Sequence, residues 1–270
     1  MNRSSNRLLA WLVAAVLAVA AQPVVAASDA DDVWPGIRKD LYADRVIVEE
    51  DGAVMLEAPV RADDAAVVPI TMRIPAGIAA SAKALTLVID KNPMPVAATF
   101  AFGPAAGAGD RLIETRVRVD MYSNIRAVLE TSDGKLHMAT KFVKAAGGCS
   151  APALKDAAEA LAGLGQMKVR LREASQSPIM QEAQIMIRHP NYSGMQMNQL
   201  TGLYIPAKYV QSIEVKRGSD VVFTMEGGIS LSENPNIRFT YAAGGDNDIL
   251  ATAKDTDGSV FTVRQSPKGS

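Results

Sequence analysis

The feature that most narrows the fold of this chain is a period of two. From Val46 onward, apolar residues recur at alternate positions in short runs, not at helical spacing. In Val68-Pro69-Ile70-Thr71-Met72-Arg73-Ile74, the residues Val68, Ile70, Met72 and Ile74 share one face. Between Ile113 and Met121, Ile113, Val117, Val119 and Met121 face one way, and Glu114, Arg116, Arg118 and Asp120 the other. Successive side chains of a strand point to opposite faces, so such runs give one face to a core and one to water. This is the pattern of antiparallel sheets packed on one side. It predicts strands near 46–49, 53–58, 67–73, 84–89, 96–102, 112–120, 125–130 and 136–143. Asp51-Gly52 and Asp133-Gly134 read as hairpin turns, because glycine supplies the positive φ such turns require. So many short strands in about 100 residues predict an immunoglobulin-like β-sandwich. Before them, Pro35 to Tyr42 reads as a short helix, with Trp34, Ile37 and Leu41 packed on the sandwich.

The alternation stops at an alanine-rich stretch from Ser150 to Gly165, with Leu154, Ala157, Ala158 and Leu161 at helical spacing and Gly163 and Gly165 as stops. It then returns, predicting strands near 167–173, 183–189, 210–217, 220–226, 236–241, 248–254 and 259–264, the last hairpin closed by Asp257-Gly258. The expected architecture is all-β: two immunoglobulin-like β-sandwich domains, 28–149 and 167–270, joined by a short helical linker over 150–166. Residues 1–27 have another character. Arg3 and Arg7 precede an apolar stretch from Leu8 to Ala21, followed by Val25-Ala26-Ala27. Charged, apolar and small-residue regions in that order are the signature of a cleaved export signal, with cleavage after Ala26 or Ala27. The apolar stretch falls short of the roughly 20 residues that span a bilayer. The expected location is the periplasm.

Charge and composition remove several function classes. The chain has 28 basic and 29 acidic side chains, which leaves no electrostatic footprint for nucleic acid. A single cysteine permits neither an internal disulfide nor a cysteine-based zinc site, and two histidines leave little scope for a metal. His137 and His189 read as strand and turn residues, and Met195 and Met197 as packing residues. Asp255-Thr256-Asp257-Gly258 reads as a turn that lacks the rest of a calcium loop. No metal and no cofactor are expected.

The lone Cys149 lies between the two predicted domains, in Val143-Lys144-Ala145-Ala146-Gly147-Gly148-Cys149-Ser150-Ala151-Pro152. No bulky apolar side chain lies between Val143 and Leu154 to draw it into a core. Gly147 and Gly148 give it a pliable arm. Two readings stay open at this point: an accessible thiol that carries something covalently, and an inert small hydrophobe. If Ser150 capped the following helix, the helix amino terminus would favour thiolate at Cys149.

These features resemble the sulfur-carrier pair of the Sox pathway, with SoxY fused to SoxZ. On the SoxY side the likeness rests on Leu56-Glu57-Ala58-Pro59, Val68-Pro69-Ile70, Lys91-Asn92-Pro93-Met94-Pro95, Phe100, Asp133-Gly134 and Gly147-Gly148-Cys149. On the SoxZ side it rests on His189-Pro190, Gly194, Ile205-Pro206, Ser232-Glu233-Asn234-Pro235, Ile237 and Asp257-Gly258. The resemblance implies two non-enzymatic sandwiches packed together, with Cys149 as the attachment site and Gly147 and Gly148 as its hinge. Separate periplasmic redox enzymes, c-type cytochromes or a quinoprotein dehydrogenase among them, would process the sulfur cargo. The alternative it leaves is a non-carrier assembly module for a quinoprotein dehydrogenase system. Two departures matter: the family's arm ends in Gly-Gly-Cys-Gly-Gly at a free terminus, whereas here Ser150-Ala151-Pro152 follows and another domain is attached, and the loss of the two trailing glycines stiffens the carboxyl side of the arm. A cysteine anchored on both sides must enter a partner as a loop.

Overall fold

The alternation is realised strand by strand in a computed structural model that describes residues 32–152, 161–173, 179–244 and 248–266. The chain opens with helix α1 (Trp34–Tyr42), then strands β1 (Ile47–Glu49), β2 (Met55–Glu57) and β3 (Val68–Ile74). A single turn, α2 (Ala76–Ala79), leads to β4 (Ala82–Ile89), β5 (Val96–Phe102), β6 (Arg111–Val117), β7 (Ser123–Thr131) and β8 (Leu136–Val143). The second half contains β9 (Met167–Glu173), β10 (Met180–Ile187), β11 (Val210–Arg217) and β12 (Asp220–Gly227). It ends with β13 (Asn236–Ala242), β14 (Ile249–Asp255) and β15 (Val260–Gln265). In β3 the residues Val68, Ile70, Met72 and Ile74 are all buried, as their spacing requires.

The strands form two sheets, and each sheet runs through both halves of the chain. The larger has the order β1-β8-β7-β4-β5-β12-β11-β14-β15, the smaller β2-β3-β6-β13-β10-β9. Each half is therefore a sandwich, and the two are joined edge to edge. In one sheet β5 pairs antiparallel with β12, from Phe102 opposite Phe223 to Ala98 opposite Gly227. In the other β6 pairs antiparallel with β13, with Ile113 opposite Phe239 and Glu114 opposite Arg238. An unpaired edge strand exposes a row of N–H and C=O groups, and this arrangement covers two such edges on each half. The core is continuous across the joint. Phe100 of the first half meets Phe223 of the second edge-on at 5.7 Å, and Phe223 meets Phe239 at 5.0 Å.

Several expectations are corrected. The turn at Asp51-Gly52 does not close a hairpin: β1 pairs in parallel with β8, whereas β2 pairs with β3, so the turn carries the chain from one sheet to the other. Asp133-Gly134 and Asp257-Gly258 do close hairpins, with Gly134 at φ +82° and Gly258 at φ +84°. In α1, Trp34 and Tyr42 are buried against Val88, Val128, Leu136 and Met138, while Leu41 is exposed. The helix phase selects Tyr42 instead of its neighbour. Met121 is exposed, and Arg118, expected on a solvated face, is only 1% exposed. Alternation describes one strand with one wet face; here the other half of the chain covers that face. The expected export signal at 1–27 and most of the expected linker helix, 153–160, lie outside the described residues. Gly163 and Gly165, expected as helix stops, have φ +86° and +79°.

Candidate functional site

Beyond β8 the chain leaves the sheet but stays tethered. Lys144 forms a parallel bridge with Arg61, and its N–H donates to Val60 O at 2.9 Å. Gly147 N–H then donates to Asp120 O at 2.8 Å and Gly148 N–H to Val119 O at 3.0 Å. The glycine pair thus lies along the segment that follows β6. The two glycines differ in kind. Gly147 has φ +78°, where a side chain is strained, but space around it is open. Gly148 has no space at all: a Cβ there would sit 2.1 Å from Ala65 O and 2.7 Å from Val119 O. In this conformation Gly148 is packed in place by backbone.

Cys149 is 0% exposed, so in this conformation it is not the accessible thiol of the first reading. Its N–H donates to Asp120 Oδ1 at 3.3 Å, and its carbonyl accepts the Ser193 hydroxyl. Two residues on, Ala151 O accepts Gln196 Nε2 at 3.0 Å, and Gln196 Oε1 accepts Ser193 N–H at 3.2 Å. Ser193 and Gln196 reach this segment from the second half, a proximity invisible in the residues flanking Cys149. Burial, followed by the nearby Asp120 carboxylate, pushes the Cys149 thiol up to about 12, with Arg118 acting weakly in the opposite direction. The expectation of a helix-activated thiolate is therefore reversed. Ser150 Oγ donates to Gly147 O at 3.3 Å, a bond within the arm. At neutral pH the seated sulfur is a protonated, shielded thiol.

Arg118 forms the floor of this seat. Its Nη1 donates to Gly148 O at 3.2 Å and its Nη2 to Asn191 O at 3.4 Å. Asn92, from the Lys91-Asn92-Pro93 run, fixes the backbone beneath. Its Nδ2 donates to Arg118 O and to Ser230 Oγ, both at 2.8 Å, and its Oδ1 accepts Asp120 N–H at 2.9 Å. Asn191, with φ +43°, donates its N–H to His189 Nδ1 at 3.0 Å and accepts Val210 N–H on Oδ1. First-half and second-half residues alternate through this network. Sequence reading singled out Cys149, Gly147 and Gly148; it missed Arg118, Asp120, Ser193 and Gln196, whose proximity depends on the joint.

The other candidates fall elsewhere. His137 Nδ1 pairs with Asp51 Oδ2 at 2.5 Å. His189 is fully buried, its Nε2 3.6 Å from Asp255 Oδ2, and burial lowers its pKa against the opposing pull of Asp255. Asp255 Oδ1 accepts the N–H groups of Asp257 and Ser259, so the Asp255–Gly258 stretch is a turn. Met197 is exposed and Met195 half-buried. Among the described residues no group of three or more His, Cys, Asp or Glu is placed to hold a metal ion. A surface cleft of about 580 Å³ crosses the smaller sheet, lined by Arg116 of the first half and Lys168, Arg188, Glu233 and Asn236 of the second.

Residues 38–149 match the family of the sulfur oxidation protein SoxY, and residues 169–266 that of the sulphur oxidation protein SoxZ. The first match ends on Cys149. Among solved structures, the sulfur carrier protein SoxY from Chlorobium limicola f thiosulfatophilum is 25% identical, with a TM-score of 0.35; the match covers 43% of this chain and 96% of that one. No curated protein matches the chain.

Proposed function

The chain belongs to the SoxY and SoxZ families, one domain of each in a single polypeptide, and on that premise we propose that it is a periplasmic carrier holding a sulfur intermediate covalently on Cys149. One observation carries this reading: the sole cysteine of the chain is the last residue of the SoxY match and sits where the two halves meet. The carrier has two states. In the closed state described above the thiol is protonated and shielded, which protects it from stray exchange in an oxidising compartment. In the open state the arm leaves its seat, pivots at Gly147, and presents a thiolate for exchange or S–S coupling on a partner enzyme. Because the chain continues through Ser150-Ala151-Pro152, the sulfur is delivered on a loop. Catalysis belongs to the partners, for which periplasmic c-type cytochromes or a quinoprotein dehydrogenase are the proposed classes.

A second reading has one observation in its favour. A sealed thiol is what an incidental cysteine looks like, and the chain would then be an assembly module for the dehydrogenase system. Cys149→Ser separates the two. Oxidation of reduced sulfur compounds by cells carrying this variant is abolished if Cys149 is the attachment site. It is retained if the chain only docks.

A further inference from the structure

The cleft on the smaller sheet carries charge that the fold leaves unmatched. Arg116, Lys168 and Arg188 line it, and none of the three forms an ion pair among the described residues. Glu233 is the one carboxylate in the lining and pairs with none of them, so an excess of two positive charges remains. Arg238, two residues along β13 from Asn236, shows the ordinary arrangement: it bridges Glu114 at 3.0 Å and Glu182 at 2.6 Å. Arg116 donates from Nη2 to Asn234 O at 3.2 Å, and its buried Nε has no acceptor among the described residues. A buried N–H without an acceptor calls for an explanation. Charge on β9 alone would not, because β9 is an edge of the sheet and edge strands carry cations that discourage pairing. Arg116 is on β6, in the interior of the sheet.

Backbone hydrogen bonds fix the walls of the cleft. Arg188 N–H donates to Gln166 O at 2.8 Å, Ile187 N–H to Pro235 O at 2.9 Å and Asn234 N–H to His189 O at 2.7 Å. Lys168 stands opposite Met186, and Met186 opposite Asn236, so the three form a row on one face. In the order β6-β13-β10-β9, Arg116 and Lys168 occupy two banks three strand spacings apart, roughly 14 Å between backbones. Long side chains reach inward from both. Met167 and Met186 add polarisable thioethers to the lining. We propose that this cleft binds a two-ended dianion, a molecule with an anionic group at each end and a short, apolar, polarisable middle. Arg116 meets one end, and Lys168 with Arg188 the other. The volume of about 580 Å³ suits a small molecule. Polythionates are the sulfur-chain members of this class, and alkane disulfonates share its chemistry. The site stands whether or not Cys149 carries cargo.

The test is calorimetric titration of the full-length protein at an ionic strength fixed with sodium chloride. Ethane-1,2-disulfonate, which thiols do not attack, is the two-ended probe, and sulfate is the one-ended dianion. Saturable binding of one disulfonate per chain is expected, about tenfold tighter than sulfate, because sulfate engages only one bank. Absence of saturable disulfonate binding, or equal affinity for sulfate, overturns the proposal. Tetrathionate is titrated into Cys149→Ser, which has no thiol to react with it. It is expected to bind at least as tightly as the disulfonate; weaker binding overturns the assignment to polythionates.

Arg116→Gln and Lys168→Gln each remove charge from one bank. Each is expected to weaken disulfonate binding about tenfold and to shrink its advantage over sulfate. Arg170→Gln removes a cation two residues along β9 that does not line the cleft, and is expected to change the affinity by less than about twofold. Equal losses in all three variants would reduce the binding to general attraction by a basic strand and overturn the site. Lys168 is exposed, so its replacement leaves the fold intact and decides the matter should Arg116→Gln fail to fold. An unchanged affinity in Lys168→Gln overturns the proposal.

Discussion

Gly148→Ala is the sharpest perturbation of the closed seat. The added methyl would meet Ala65 O at 2.1 Å and Val119 O at 2.7 Å, and backbone atoms cannot swing aside as a side chain can. Overpacking of this kind costs about 1–3 kcal/mol. The cost falls only on the closed state, because the contacts vanish when the arm lifts. An opposing effect exists: alanine has less freedom than glycine in the open arm, which disfavours opening by about 0.4–1 kcal/mol. The steric term wins, leaving a net of about 1.5 kcal/mol and a roughly tenfold larger open population, at about 1.4 kcal/mol per decade. The assay is alkylation of Cys149 by iodoacetamide at pH 8, followed by intact mass, with denatured protein as the reference rate. Wild type is expected to react far more slowly than the denatured chain, and Gly148→Ala about tenfold faster than wild type. Equal rates for the two folded proteins would refute the packing argument. A wild type as reactive as the denatured chain would refute the seat itself.

Phe223→Ala removes a ring that bridges the two halves, at a cost of about 3–5 kcal/mol, and is expected to lower Tm by about 10 °C in one cooperative transition. Two transitions in calorimetry, with only one shifted, would contradict a shared core. The Cys149 thiol is held well above its ordinary 9.0, up to about 12, so the native state keeps a proton that the unfolded chain gives up. Stability from this group is complete below 9.0 and is lost as pH rises towards 12; Cys149→Ser should lose less stability over that interval in urea titrations. His189 has the opposite sense: its folded pKa lies below the ordinary 6.5, so the unfolded state binds the proton first and stability falls as pH drops below 6.5. His189→Gln is expected to flatten that acid limb, and an unchanged limb would point to other groups.

The strands were legible because they obey a local rule. Leu136–Val143, Met167–Glu173 and Val210–Arg217 follow from alternation and turn residues alone. What joins β5 to β12 and β6 to β13 was not, since edge pairing between halves leaves no periodic trace in either. The same limit applies at the site. Gly147, Gly148 and Cys149 stand out by composition, but the hydrogen bonds that hold the backbone of Cys149 and Ala151 come from Ser193 and Gln196, more than 40 positions away. Arg118 shows the failure most clearly. Its polar position in an alternating run is correct as pattern, and the burial of that position is decided by the second half of the chain.

The central claim is that one sulfur atom alternates between a sealed seat and covalent traffic. Intact mass of the protein isolated from cells growing on reduced sulfur compounds, before and after reductant, tests it most directly. The account predicts mass increments of sulfur-containing groups that map to Cys149, resist brief exposure to dithiothreitol in the native protein, and vanish at once when the chain is denatured in its presence. A uniformly unmodified thiol under those conditions would contradict it.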